Sequence, residues 1–182
     1  MPNWFKAGPP PYQTALAMVG AKPGDRVLVV GADDVDLAAA VALVTGLNGR
    51  TLVADPAPDA AGRVNAAAAA AGALVDVLQA APAQLAGGAG EFDVAAVVSP
   101  LAPLSEHDRR AAIGAAVGVL RPGGRLVILD GRRQKGLFGG LSKGGARLEP
   151  GAALALLAGA GLRAARQLAD ADGVAFYEAR KS

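Results

Sequence analysis

Lys22-Pro23-Gly24-Asp25-Arg26-Val27-Leu28-Val29-Val30-Gly31 reads as a turn followed by a strand. Proline and glycine at 23 and 24 redirect the chain. Arg26 to Val30 then forms a short apolar run without polar alternation, the pattern of a strand covered on both faces. Three runs of the same kind follow at Thr51 to Ala54, Phe92 to Val98 and Arg125 to Leu129, with a weaker fifth at Leu74 to Leu78. Helical patterns at Val35 to Thr45, Ala60 to Ala71 and Glu106 to Leu120 separate them. Alternation of this kind predicts a mostly parallel sheet with helices on both faces.

The punctuation agrees. Arg121-Pro122-Gly123-Gly124 repeats the turn before the fourth main strand, and Ser105, three residues before Asp108, is placed to cap the helix that runs to Leu120. Near the C-terminus, Leu162 to Leu168 and Val174 to Ala179 flank the polar turn Ala169-Asp170-Ala171-Asp172-Gly173, which predicts an antiparallel hairpin at the end of the sheet.

Composition bounds the rest. The 182 residues suit one domain. With 52% hydrophobic and 19% charged residues, the chain is neither disordered nor a linker. Alanine supplies 44 of the 182 residues, so apolar content here does not mean bulk. Cysteine is absent and His107 is the sole histidine, which leaves no thiolate or imidazole set for a metal. The N-terminus lacks the apolar run of a signal peptide and no uncharged stretch is long enough to span a bilayer, so a cytoplasmic location is expected. The net charge of +2 conceals a division. Between Asp25 and Asp76 seven acids oppose three bases, whereas from Arg121 to Arg147 seven bases oppose Asp130 alone.

The element order and local phrases together resemble the class I S-adenosylmethionine-dependent methyltransferases, over about Pro11 to Lys181. The phrases are Lys22 to Gly31, the strand ending in Asp55-Pro56, Val119-Leu120-Arg121-Pro122-Gly123-Gly124-Arg125-Leu126-Val127-Ile128, and Gly173 to Arg180. The resemblance implies a Rossmann-like fold in a single domain over 1–182, with an N-terminal segment and helix at 1–21 and a glycine-rich basic loop at 131–148. It implies S-adenosylmethionine as cofactor, with Gly31, Ala32, Asp33, Asp55, Pro56, Ala81 and Ser99 at its site. In that family the first strand ends in an acid and leads into three alternating glycines. Here the matching positions are Val29, Gly31, Asp33 and Val35. The acid is a valine and two of the glycines are gone. Asp33, Asp34 and Asp36 either cap the helix that follows or alter the ligand site.

Asp55, at the end of the second strand, would accept hydrogen bonds from both ribose hydroxyls, and Pro56 would wall the adenine. After the third strand the family often has an acid for the adenine amine; Leu78-Gln79-Ala80-Ala81-Pro82 offers none, and Gln79 either substitutes through its amide oxygen or is a solvated surface residue. Ser99 either faces the acceptor or closes a turn. No residue is assigned as catalytic, since His107 at a helix start reads as a surface group and Tyr12 is only placed to close over the crevice.

The loop Gly131 to Arg147 leaves the ligand-binding edge of the sheet. Arg132, Arg133, Lys135, Lys143 and Arg147 would form a rim for an anionic acceptor, and Leu137, Phe138 and Leu141 a contact for a protein partner or membrane surface. Phe138 alone is poor equipment for stacking single-stranded bases, which argues against specific nucleic-acid recognition. Trp4-Phe5 and Pro9-Pro10-Pro11 offer another docking segment. Two functions remain open: a methyltransferase acting on a small-molecule or lipid-like acceptor, and a methyltransferase-fold subunit kept for binding or assembly. A nicotinamide dehydrogenase is a distant third, because Gly31 to Asp36 lacks the glycine spacing a dinucleotide pyrophosphate requires.

Overall fold

The computed structural model describes residue 10 and residues 12–81, 84–85, 90–131 and 146–182. Five helices and seven strands are described. The helices are α1 (Gln13–Val19), α2 (Val35–Thr45), α3 (Ala60–Ala71), α4 (Glu106–Val119) and α5 (Pro150–Gly159). The strands are β1 (Arg26–Val30), β2 (Arg50–Ala54), β3 (Asp76–Leu78), β4 (Phe92–Val98), β5 (Leu120–Gly131), β6 (Arg163–Ala171) and β7 (Val174–Arg180). They form one sheet in the order β3-β2-β1-β4-β5-β7-β6. The first five strands pair in parallel, while β7 is antiparallel to both β5 and β6. The predicted α/β architecture with a C-terminal hairpin is therefore the observed one.

Strand periodicity decides which residues meet which helices. Val27, Val29, Val53, Val94, Ala96 and Val127 point to the face covered by α1, α2 and α3, where Val19, Leu37, Val41 and Val64 complete one apolar cluster. Leu28, Val30, Ala95, Val97, Leu126 and Ile128 point to the opposite face, against Ile113 and Ala116 of α4 and Leu157 of α5. The buried part of α2 includes Ala38, Ala39, Ala40 and Ala42. Such small side chains let the helix backbone lie close to the sheet, so the large side chains that fill the core come mostly from the strands and from α4 and α5.

Two boundaries differ from expectation, each for a local reason, and one helix was not expected. Arg121 to Gly124 does not break the sheet: β5 runs from Leu120, and a register shift against β4 between Phe92 and Val94 absorbs the extra residues as a bulge. Gly123, at φ +75°, supplies the conformation the bulge needs, and Lys181 holds it through Gly123 N–H to Lys181 O at 3.0 Å and Lys181 N–H to Gly124 O at 2.9 Å. The hairpin turn is shorter than the polar stretch suggested. Asp172 (φ 55°) and Gly173 (φ 81°) alone connect β6 to β7, both with the positive φ of a two-residue turn whose twist matches the strands. Helix α5 has no counterpart among the expected helices.

Candidate functional site

The carboxyl ends of β1, β2 and β4 lie side by side, and the residues just beyond them are joined by short bonds. Gly31 follows β1 with φ +99°; its amide donates to Ala54 O at 2.9 Å, and a Cβ there would stand 2.4 Å from Val98 O and 3.7 Å from the Ser99 Cβ. Only glycine fits so close to a neighbouring strand with that φ. Ala32 is next, buried, and its amide donates to Asp55 Oδ2 at 2.7 Å. The other oxygen, Asp55 Oδ1, accepts the Ala57 amide at 2.8 Å. One half-buried carboxylate thus ties the loop after β1 to the loop after β2. Each carboxylate oxygen has a second lone pair, so the group retains acceptor capacity for two further donors.

Of the expected residues, the structure brings Gly31, Ala32, Asp55 and Ser99 together and places Pro56, exposed, next to Asp55. Asp33 is exposed on the loop into α2. Asp34 is the N-cap of that helix, its side chain accepting the Leu37 amide at 3.2 Å, and Asp36 lies in the first turn, where a negative charge complements the helix dipole. Ala81 lies beyond β3, its amide donating to Gln84 Oε1 at 3.0 Å, and the neighbouring Asp55 amide donates to Leu78 O at 3.1 Å. Gln79 is exposed, as is His107 in the first turn of α4. Tyr12 is half-buried against the cluster beneath α1. Val29, at the position of the expected acid, is fully packed in the same cluster.

Two further residues shape the site and were not read from the sequence. Arg63 on α3 donates through Nη1 to Ala32 O at 3.0 Å, so the two peptide groups flanking the Ala32 Cα are each held, one by Asp55 and one by Arg63, while the Arg63 Nε pairs with Asp59 at 2.8 Å. Asp130, completely buried at the end of β5, accepts the Leu101 amide on Oδ1 and the Leu148 amide on Oδ2, each at 2.7 Å. It fastens the segment after β4 to the segment that enters α5. A signal for it existed: a carboxylate ending a strand buried on both faces must find donors or neutralise.

Residues 132–145 of the expected basic rim, with Arg132, Arg133, Lys135, Leu137, Phe138, Leu141 and Lys143, lie outside the described residues, as do Trp4, Phe5, Pro9 and Pro11. Arg147 is described and is already paired with Asp170 at 2.6 Å, which raises its pKa further.

Near Asp130 on the same face of the sheet lies Tyr177, fully buried, with no hydrogen-bond partner for its hydroxyl among the described residues. Burial, and then the charge of Asp130, push its pKa up. Above about pH 10 the unfolded chain's phenol ionises while the folded one stays protonated, so this group's stability contribution is lost as pH rises through the folded pKa. Tyr177→Phe removes an unsatisfied polar group and should leave the fold equally stable or up to about 1 kcal/mol more so. Urea unfolding at pH 7 and at alkaline pH checks this, the variant losing less stability on the alkaline side.

The methyltransferase domain family matches residues 30–128, more than half of the 182 residues, and that span runs from the last residue of β1 into β5 and includes the loops after β1 and β2 just described. The chain belongs to the class I S-adenosylmethionine-dependent methyltransferases. Solved structures give the same fold. A S-adenosylmethionine-dependent methyltransferase from Aquifex aeolicus superposes with TM-score 0.70 at 19% identity, over 92% of this chain and 87% of that one. Magnesium protoporphyrin IX methyltransferase from Synechocystis, crystallised with S-adenosylhomocysteine, gives TM-score 0.67 at 16% identity over 94% and 84%. A possible exported protein from Bordetella parapertussis gives 0.68 at 17% over 93% and 65%, so this chain spans less than two thirds of that protein. No curated protein matches the sequence significantly. Methyltransferases of this class bind S-adenosylmethionine, and the residues here fit its ribose end: a half-buried acid with spare acceptor capacity stands beside a backbone loop that only a small residue allows. By the resemblance, Asp33 and Val35 stand where the class has the glycines of the loop after the first strand.

Proposed function

We propose that the chain binds S-adenosylmethionine and transfers its methyl group to a small-molecule or lipid-like acceptor. The observation that carries this reading is Asp55, whose carboxylate joins the two loops that border the cofactor site in this family. When bound, the cofactor supplies an electrophilic methyl group on a sulfonium sulfur. Asp55 would hold the ribose hydroxyls, Pro56 and Ala81 would flank the adenine, and the backbone of Gly31, Ala32 and Asp33 would border the methionine portion. Ser99, beside Gly31, would face the acceptor. Methyl transfer draws much of its acceleration from alignment of nucleophile and methyl group. A general base is needed only for an acceptor that loses a proton during attack. The Synechocystis neighbour's acceptor, a magnesium porphyrin, is a precedent on this fold for a small molecule. No helix among the described residues is long and apolar enough to cross a membrane, and a cytoplasmic location belongs to this reading, with cell fractionation as its check.

Calorimetric titration with S-adenosylmethionine and S-adenosylhomocysteine should show saturable binding of one molecule per chain. Asp33→Gly with Val35→Gly should tighten it by about 1 kcal/mol, the scale of one unit-charge repulsion at 4 Å in water, while also easing backbone approach. The second reading, a subunit kept for binding or assembly, is favoured by Asp33 and Val35 and by the core packing of Val29 at the usual acid position. Absence of binding by both the natural chain and the double variant would decide for it.

A further inference from the structure

Eleven arginines fall among the described residues, and nine of them have a carboxylate or carbonyl partner. The two that have none are Arg163 and Arg180, and the ladder sets these two directly opposite each other on β6 and β7. Arg180 is in turn opposite Arg125 on β5, so three arginines stand abreast across three strands. Directly opposed side chains share a face with Cβ atoms about 5 Å apart, where like charges repel.

A fourth arginine joins them through a backbone irregularity. Arg163 pairs with Arg180, but Arg166 pairs with Glu178, so three steps on β6 match two on β7. In a regular strand residues three apart point to opposite faces. The bulge, with Ala164 at φ 53°, takes up the extra residue and turns Arg163 and Arg166 to the same side. Alanine in that left-handed region is strained and gains no side-chain hydrogen bond from it. The only acid in the group, the buried Glu178, is shared by Arg125 at 3.2 Å and Arg166 at 2.7 Å. Edge protection accounts for a charge on β6, an edge strand, but not for Arg180 on the interior strand β7.

An opposed pair of unpartnered guanidiniums works against the fold, and an anion seated between the arginines relieves it; the bulge is what sets Arg163 and Arg166 on one side. We propose that Arg163, Arg166 and Arg180 form a phosphoryl-binding site at the end of the sheet opposite the cofactor site. Guanidinium forks on neighbouring strands match the tetrahedral oxygens of a phosphoryl group, which can take paired hydrogen bonds from each. The group can come from a free phosphate compound or from a phospholipid headgroup. The site is independent of the methyltransferase reading.

The test compares the natural chain, the Arg163→Gln/Arg180→Gln double variant and the control Arg110→Gln, an arginine already paired on α4. Inorganic phosphate and pyrophosphate are titrated calorimetrically, and cosedimentation is measured with phosphatidylcholine vesicles with and without phosphatidylglycerol. The natural chain and the control should bind, more weakly as salt rises, and the double variant should bind at least about tenfold more weakly. Response to the soluble anions identifies a free phosphate compound, and response to the anionic vesicles alone identifies a headgroup. In phosphate-free buffer the double variant should melt at or above the natural Tm, and phosphate should raise the Tm of the natural chain only. Equal binding by the natural chain and the double variant, or none by the natural chain to any probe, overturns the proposal.

Discussion

Asp130→Ala should destabilise the chain by about 2–4 kcal/mol, a large share of the roughly 5–15 kcal/mol that holds a domain together. The Leu101 and Leu148 amides each donate to this carboxylate at 2.7 Å; Asp130 and Leu101 are buried, so the Leu101 amide has no water to turn to, while the half-buried Leu148 amide has some. Two orphaned donors at about 1–3 kcal/mol each set the upper range, and relief from burying a charge returns part of it. Asp130→Asn keeps one acceptor and points an amide group at the other donor, so its loss should be about half as large. Chemical denaturation measures both, and hydrogen exchange should show the amides of Leu101 and Leu148 losing protection together. If Asp130→Ala unfolds at the same urea concentration as the natural chain, the carboxylate is not the clasp described here.

The sequence marked Asp130 only as an acid ending an apolar strand, and the rest of the clasp was out of its reach for a simple reason. Its two partners lie 29 residues before and 18 residues after it, and backbone amides carry no mark in a sequence. The elements with strong local punctuation were legible: β1 and β4, and helices α2 and α3, fall where apolar runs, glycines and N-caps put them. Helix α5 was not. It is apolar nearly all round, so no face stands out as the buried one and periodicity is silent, although Pro150 in its first turn was an available start signal. Arg121-Pro122-Gly123-Gly124 was read as a turn because proline and glycine end strands in most settings; here the neighbouring chain at Lys181 pairs with the irregular stretch and carries the strand through. The arginine row fails to show for the related reason that register, not spacing, assembles it, and a bulge reverses the face that spacing alone would assign. For the candidate site, the position of Asp55 was legible from the end of an apolar run, whereas its bond to Ala32 and the support from Arg63 depend on how two loops meet.

Asp55→Ala should act on binding more than on folding, the reverse of Asp130. Asp55 is only half-buried, so the amides of Ala32 and Ala57 can exchange the lost carboxylate for water, and the fold should lose less than with Asp130→Ala. The cofactor cannot make that exchange. On the proposed reading it loses charge-assisted hydrogen bonds from its ribose hydroxyls, and the loop beginning at Gly31 loses the anchor that holds Ala32 in place. Affinity for S-adenosylhomocysteine should fall by about 1.5–3 kcal/mol, roughly 10- to 150-fold. Asp55→Asn separates the two contributions: it keeps one acceptor for the loops and can still bond one hydroxyl, so it should retain an intermediate affinity. Calorimetry at matched protein concentration, with circular dichroism to verify folding, gives the answer. A folded Asp55→Ala chain that binds as tightly as the natural one would remove this residue from the cofactor site and leave its carboxylate with a purely structural duty between two loops.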